Sequence, residues 1–323
     1  MNALLPHHAL LLSAIAIRTG LRSWLGNRPA GLVAAIALAL ATLGAPAPAG
    51  AQTSLLVLDA TTGKVLHAVN ADQQRYPASL TKMMTLYLAF DALDRKRFRL
   101  NSQLSTSRNA AAMPPTELGL TPGRRITLRD AILAITTESA NDAAVLVGET
   151  LAGSESRFAN LMTAKAHALG MHRTRFANAS GLPDPGHRTT ARDMATLARA
   201  LLRHHPHHYH YFGQREFRFD GRTYHNHNRL LGVYPGMDGI KTGFTRASGY
   251  NLVASARRGG RRLIGVVMGS SSAAARNQTM ARILDEGFRT VQVTPVKQPA
   301  TKTARRTSVP RQTDASPPDR KRG

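Results

Sequence analysis

Ser79-Leu-Thr-Lys-Met-Met-Thr-Leu-Tyr-Leu-Ala-Phe-Asp-Ala-Leu93 contains no glycine or proline and is apolar on nearly every side, the pattern of a helix buried in the middle of a domain. Upstream, residues 54–59 and 64–69 are β-rich runs flanking Thr61-Thr62-Gly63, which reads as a hairpin. Downstream, helical segments are predicted over 128–137, 141–151, 156–169 and 190–204, separated by breaks containing Ser, Asn and Gly. After Tyr211 the pattern returns to strands: 216–219 and 223–225 around Asp220-Gly221, then 250–256 and 263–268 flanking Gly259-Gly260, with a last helix over 273–289. Strands at both ends of a helical centre predict an α+β domain whose antiparallel sheet is completed late, so that its first and last strands meet.

The chain has 323 residues, 42% hydrophobic and 19% charged. That is enough for one large domain or two small ones and close to globular averages, which excludes wholesale disorder and a multi-pass membrane protein. It has no cysteine, so thiol nucleophiles, disulfides and cysteine-ligated metal sites are excluded. Lys+Arg 43 against Asp+Glu 19 gives +24, which points to an anionic partner without selecting one.

Residues 1–51 hold no acid, carry Arg18, Arg22 and Arg28, and then run apolar over 32–43 before Pro46, Pro48 and Ala49-Gly50-Ala51. That order of charge, apolar run and small residues reads as a secretory signal with cleavage before Gln52, a retained anchor being the alternative, and export to the periplasm is expected. A second apolar stretch over 9–17 precedes the arginines, so the leader is long or the real start lies downstream of residue 1. Only three basic residues fall in the leader, which leaves 40 against 19 and a charge of +21 on the rest. From residue 294 to 323 Pro, Thr, Ser, Lys and Arg dominate, a disordered basic tail without the apolar face of a membrane helix. Contact of this tail with wall polymer or a membrane surface is one expectation, a merely solvated tail the other. The folded part is expected over 52–293.

Ser79-Leu-Thr-Lys82 opens the core helix, and spacing i, i+3 puts both side chains on one face. A lysine among apolar side chains, near the positive end of a helix, has its charge disfavoured and can accept the serine proton. Read singly, the tetrapeptide is equally a serine cap followed by a surface lysine. Ser139-Ala-Asn141 lies between two predicted helices, where a hydroxyl could relay a proton and an amide hold a carbonyl. Asn141 is equally a helix cap, and Ser107-Arg-Asn109 repeats the pattern; the interhelical position favours Ser139. Lys241-Thr-Gly243, in an extended stretch over 237–245, offers a cation, a hydroxyl and a residue without a side chain, which suits a carboxylate and a peptide laid along the strand as an antiparallel partner. Ser79 is the only serine with lysine three residues on, and Lys-Thr-Gly occurs once. Together and in this order the three elements are the signature of class A β-lactamases and penicillin-binding proteins.

Beyond the triplets, "YPASLTKMMT", "ESANDAAV", "ANASGLPDPGH" and "DGIKTGFTRASGYNLVASA" closely resemble the serine D-alanyl-D-alanine carboxypeptidases, the low-molecular-mass penicillin-binding proteins of the S11 peptidase family, across residues 54–290. The resemblance implies the β-lactamase/transpeptidase-like fold, an antiparallel sheet flanked by helices with a mainly helical insertion, and a penicillin-sensitive enzyme of peptidoglycan that needs no cofactor or metal. It makes Ser79 the acylated nucleophile, Lys82 its general base, and Ser139 with Asn141 the second wall of the cleft. It gives the substrate's terminal carboxylate to Lys241 and Thr242, and to Arg276, 35 residues beyond Lys241. The backbone N–H groups of Ser79 and Phe244 become the oxyanion hole beside Gly243. Some members carry a β-rich second domain and a C-terminal anchor; the basic tail makes such an anchor unexpected here. Residue identity varies among relatives at the positions of Phe244 and His227, so fine substrate preference does not transfer.

Four alternatives remain at this stage. A β-lactamase would use a glutamate between the second and third motifs to activate water, but residues 157–214 contain none, and Glu155 and Glu216 sit in unlike contexts. The drug is therefore expected to stay on Ser79 as an inhibitor. A D,D-endopeptidase acting on peptidoglycan crosslinks uses the same machinery. A non-catalytic wall-binding protein is a third reading. A nucleic-acid binder is disfavoured by 5% aromatic content without stacking residues among the basic ones. His204-His205-Pro-His207-His208-Tyr-His210 suggests metal, but no carboxylate at ligand spacing accompanies it in sequence, and surface polarity at a helix end is the simpler reading.

Overall fold

The structure, a computed structural model, describes residues 53–292; the leader expected over 1–51 and the tail expected over 294–323 lie outside them. Strands β1 (Ser54–Asp59) and β2 (Val65–Val69) form the predicted hairpin, Leu55 opposite Val69. A 3-10 turn, Ala78–Thr81, leads into α1 (Lys82–Asp94). There follow β3 (Gln103–Ser105), the single turn α2 (Arg108–Ala111), β4 (Arg125–Thr127), and helices α3 (Leu128–Thr137), α4 (Asn141–Ala152), α5 (Glu155–Ala168) and α6 (Ala191–His204). After a second 3-10 turn, Tyr209–Gly213, the chain forms β5 (Glu216–Phe219), β6 (Arg222–His225), β7 (Met237–Thr245), β8 (Gly249–Arg258), β9 (Arg261–Ser270) and α7 (Ala273–Gln292).

The main sheet is antiparallel in the order β2-β1-β9-β8-β7. Its first strand pairs with its last, Ser54 opposite Met268 and Asp59 opposite Leu263, so the two ends of the domain meet as expected. Alternation along β1 sends Leu55 and Val57 to one face, where Leu252, Leu263 and Val267 pack on Met280, Ile283, Leu284 and Phe288 of α7. Leu56 and Leu58 face the other way, into a larger core built on α1, α3, α4 and α6. Helix α1 is buried from Lys82 through Phe90, which is why its sequence shows no polar stripe. Each Leu or Phe that it hides stabilises the fold by about 2 kcal/mol, and that sum offsets the cost of holding an amine among them. Thr127, Ser154 and Thr190 cap α3, α5 and α6, each accepting from the backbone N–H three residues on.

Three differences from the sequence reading have physical causes. The α-helix starts at Lys82, and Ser79 sits in the tighter turn before it. Asn251 on β8 donates from Nδ2 to the carbonyls of Tyr76 and Pro77, and Ala78 takes a left-handed φ of 48°, so the chain reaches Ser79 through a bend that no helix tolerates. Strands β3 and β4 and helix α2 were not expected, because three or four residues carry no period. The third difference is a correction: the His-rich segment does have carboxylate partners, brought by α1. Asp94 lies 2.7 Å from His205 Nδ1 and 2.9 Å from His208 Nε2, and Asp91 3.3 Å from His205 Nε2. Asp91 and Asp94 are over a hundred residues away in sequence, and they tie the end of α6 to the end of α1. No helix among the described residues is long and apolar enough to cross a membrane.

Candidate active site

Three pieces of chain converge on one cavity of about 560 Å3. Ser79 supplies one wall, Ser139 and Asn141 a second, and Thr242, Gly243 and Phe244 of the sheet's edge strand β7 a third. The approach of β7 to the serine turn is close enough to require glycine: a Cβ at Gly243 would stand 3.0 Å from the Ser79 amide nitrogen and 3.0 Å from the Pro77 carbonyl. On the opposite side Gly181, at φ 85°, lies under the Ala78 carbonyl, where any Cβ would collide. Backbone therefore encloses Ser79 from both sides.

Lys82 has no solvent exposure. Its Nζ donates to Asn141 Oδ1 and to the Ser180 carbonyl, both at 2.7 Å, and stands 3.2 Å from Ser79 Oγ. Burial pushes its ammonium well below the usual lysine range, the charge of Lys241 pushes the same way, and Asp142 opposes both. A neutral amine has two hydrogens and one lone pair. With both hydrogens directed at Asn141 and Ser180, the lone pair is left for the serine hydroxyl.

Ser139 ends α3 in a left-handed conformation, φ 65°. Its hydroxyl is buried and has no hydrogen-bond partner among the described residues, yet the residue lines the cavity. A buried hydroxyl without a partner is costly unless something binding in the cavity satisfies it. The rival Ser107-Arg-Asn109 is spent elsewhere: Ser107 caps α2 and donates to Glu149 at 2.6 Å, and Asn109 reaches Glu149 and Glu155. Asn141 departs from expectation. It does not cap α4, whose N-cap is Ala140, and its amide is engaged at both ends, Oδ1 by Lys82 and Nδ2 by the Pro114 carbonyl at 2.8 Å. Its first effect is thus to aim the lysine. Asp142 accepts from the backbone N–H groups of Leu118 and Leu120, folding the segment that brings Pro115 and Thr116 to the cavity.

Lys241 does not line the cavity wall; it is buried behind it, donating to the Thr242 carbonyl at 3.1 Å. Burial first, and then the Arg276 charge, lower its pKa to about 7, with Glu138 working against both. Arg276 lines the cavity with its guanidinium held by Asn277 Oδ1 at 2.9 and 3.1 Å. Phe244 is half exposed and stacks on Tyr250, ring centroids 4.3 Å apart. His227, also on the wall, is pressed down to about 4 by burial and by Lys241, Arg229, Lys82 and Arg276.

Sequence reasoning missed the Ser180 carbonyl, the counter-charge at Glu138 and the cation at Arg229 on the cavity wall. The "ANASGLPDPGH" stretch carried a signal for the first: Asn178 Oδ1 accepts from Gly181 N at 2.7 Å and Thr85 donates to the Ala179 carbonyl at 2.6 Å, which fix the loop. Glu155 is used in holding that loop too, accepting from Ala179 N at 3.1 Å.

Against known proteins, the peptidase S11 family, described as D-alanyl-D-alanine carboxypeptidase, matches residues 42–272. The chain belongs to this family. Among its curated S11 relatives is D-alanyl-D-alanine carboxypeptidase DacF of Bacillus subtilis, 37% identical over 249 residues, which are 73% of this chain and 61% of that one. This chain thus spans about three fifths of that relative's length. Solved structures of similar fold include penicillin binding protein 6B from Escherichia coli, 36% identical with a TM-score of 0.70, covering 76% of this chain and 79% of that one. Penicillin-Binding Protein D2 from Listeria monocytogenes, in its ampicillin-bound form, is 32% identical with a TM-score of 0.68 and covers 76% of this chain and all of that one. The α+β, transpeptidase-like fold expected of an S11 member is the fold observed.

Proposed function

We propose that the chain is a serine-type D-alanyl-D-alanine carboxypeptidase, removing the terminal D-alanine from peptidoglycan stem peptides through an acyl-enzyme on Ser79. The carrying observation is the fully buried Lys82 amine, its charge disfavoured, 3.2 Å from a serine hydroxyl that faces an open cavity. Ser79 Oγ attacks the penultimate carbonyl as Lys82 takes its proton. Backbone N–H groups of Ser79 and Phe244 hold the oxyanion, as expected where Gly243 lets the strand and the serine turn touch. The proton returns to the leaving amine through Lys82 and the unpaired hydroxyl of Ser139, and water then frees the acyl group. Thr242, Arg276 and, behind them, Lys241 draw the terminal carboxylate. The relative crystallised with ampicillin supports β-lactams as covalent inhibitors of this site. Export with loss of a leader over 1–51, a catalytic domain over 52–293 and a periplasmic location complete the reading, with the basic tail free to contact anionic wall polymer or a membrane surface.

Purified protein incubated with pentapeptide muropeptides is expected to remove one alanine, seen as a single mass loss, and to carry a lasting penicillin adduct on Ser79. A protein that turns penicillin over rapidly, or that leaves the pentapeptide intact, contradicts the reading.

The carboxylate role of Lys241 has a pH signature. Free enzyme loses the Lys241 charge as pH rises through about 7, whereas a bound carboxylate favours the charged form and holds the proton. The kcat/KM for D-alanine release should therefore fall on the alkaline side while kcat persists to higher pH. In Lys241→Arg, whose guanidinium stays charged, that alkaline fall should vanish. Identical profiles for the two proteins would remove Lys241 from carboxylate recognition.

A further inference from the structure

At the end of α1 remote from the serine the chain turns through Arg95-Lys-Arg-Phe-Arg-Leu100. The turn is fixed by its backbone. Lys96 N–H donates to the Leu93 carbonyl and Arg97 N–H to the Ala92 carbonyl, both at 2.9 Å, and Arg99 and Ser102 exchange two more bonds at 2.9 Å. Arg95, Lys96, Arg97 and Arg99 are exposed, and their charged groups have no hydrogen-bond or ion-pair partner among the described residues. The neighbouring carboxylates are already used: Asp91 pairs with Lys165 of α5 at 2.9 Å, and Asp94 with His205 and His208 at 2.7 and 2.9 Å. One or two cations suffice to complement a helix C-terminus. Four uncompensated ones within five residues exceed that role.

Large apolar side chains stand in water beside these cations. Leu161 of α5, 43% exposed, walls a cavity of about 130 Å3 together with Arg95 and Arg97, and Leu100, 36% exposed, ends the turn. A soluble polyanion would satisfy the charges and leave both leucines wet. An anionic bilayer satisfies both, with headgroups for the cations and the upper acyl region for the leucines. Helix α1 sets the orientation: its 13 residues run about 20 Å from Lys82 to Asp94, with Ser79 before its start and the basic turn after its end. A flat surface meeting the turn leaves the active cavity at the opposite end of the helix, open away from that surface.

We propose that the Arg95–Leu100 turn, with Leu161, is a docking face for an anionic phospholipid bilayer, which holds the protein reversibly at the membrane with its active cavity directed outward. The docking is peripheral, through charge and two shallow apolar contacts, and needs no spanning helix. It goes beyond the carboxypeptidase reading and is independent of it, because no residue of the face belongs to the cavity.

The test is co-sedimentation of protein beginning at Gln52 with vesicles of equal parts phosphatidylglycerol and phosphatidylcholine, against vesicles of phosphatidylcholine alone. Wild-type protein is expected to bind the anionic vesicles, to leave the neutral ones and to be released by salt. Each basic side chain at an anionic surface strengthens binding about fivefold. The Arg95→Gln/Lys96→Gln/Arg97→Gln/Arg99→Gln variant should therefore bind about 25-fold more weakly if two of the four reach the surface together, and weaker still if all do. Arg95→Lys/Arg97→Lys/Arg99→Lys should bind as wild type does, and both variants should release D-alanine from a soluble pentapeptide at the wild-type rate. The only tryptophan in the sequence, Trp24, lies in the expected leader, so Leu161→Trp reports from one place. Its emission should shift to the blue on anionic vesicles, whereas Tyr76→Trp, three residues before Ser79 and at a position 41% exposed, should not shift. Wild-type protein that stays off anionic vesicles at low salt, or a Gln variant that binds as tightly, overturns the proposal. So does a shift at Tyr76→Trp with none at Leu161→Trp. Capture by soluble polyglutamate as strong as by vesicles, with no shift at Leu161→Trp, makes the partner an anionic polymer and overturns the bilayer.

Discussion

Ser79→Ala protein is expected to release no measurable D-alanine and to form no penicillin adduct, while unfolding at nearly the wild-type temperature. The residue contributes a single hydroxyl, and its position is fixed by neighbours that the substitution leaves alone: Asn251 on the preceding carbonyls, Gly243 against its amide and Gly181 beneath the Ala78 carbonyl. Loss of the nucleophile removes the covalent path outright. Product mass spectrometry and a thermal melt on the same preparation check both halves. Turnover by the Ala variant at more than a trace level would mean that some other group carries the acyl chain.

Lys82→Met should be nearly as damaging to chemistry, while its effects on the fold oppose one another. Methionine has a similar length and keeps the apolar packing of α1, so the cost of burying an amine disappears. It also leaves the Asn141 amide oxygen and the Ser180 carbonyl without their donor, which costs about 1–3 kcal/mol for each group that water fails to reach. Without a base the serine keeps its proton, and acylation by penicillin is expected to slow by about 10^3-fold, within the range of general-base contributions. Stopped-flow acylation separates this from binding: the maximal acylation rate should fall while the concentration for half-saturation changes little. A Lys82→Met protein acylated at the wild-type rate would show that the amine is a structural donor only.

Long periodic elements were readable from sequence because burial writes a repeat into them. Helix α3 was found to the residue, α4 and α6 to within one, and the hairpin and the meeting of first and last strands followed from where β-rich runs lay along the chain. The pairing of Ser79 with Lys82 was also readable, since i, i+3 spacing in a helical turn is a local property. What sets the lysine's charge was not. Lys241 lies 159 positions further on, and the Ser180 acceptor is a main-chain carbonyl, which no side-chain pattern announces. Asn141 shows the same limit in reverse: the residue type was right, but its amide is directed at Lys82 and Pro114, a geometry fixed by how α4 meets α1 and the segment before it. Asp91 and Asp94 were visible as residues and invisible as partners of His205 and His208, because only the packed helices bring them together.

Strand β1 is laid between β2 and β9, with Ser54 opposite Met268, so the sheet cannot close until the end of the domain has been synthesised. Contacts this far apart carry a large loop-closure cost and form slowly. The turn that carries Ser79 is held from β7 and β8, by the close approach of Gly243 and by the Asn251 amide, so it takes its final form only when these late strands have docked. The same topology leaves the nucleophile incomplete until the late strands dock, which confines reactivity to molecules that have finished folding.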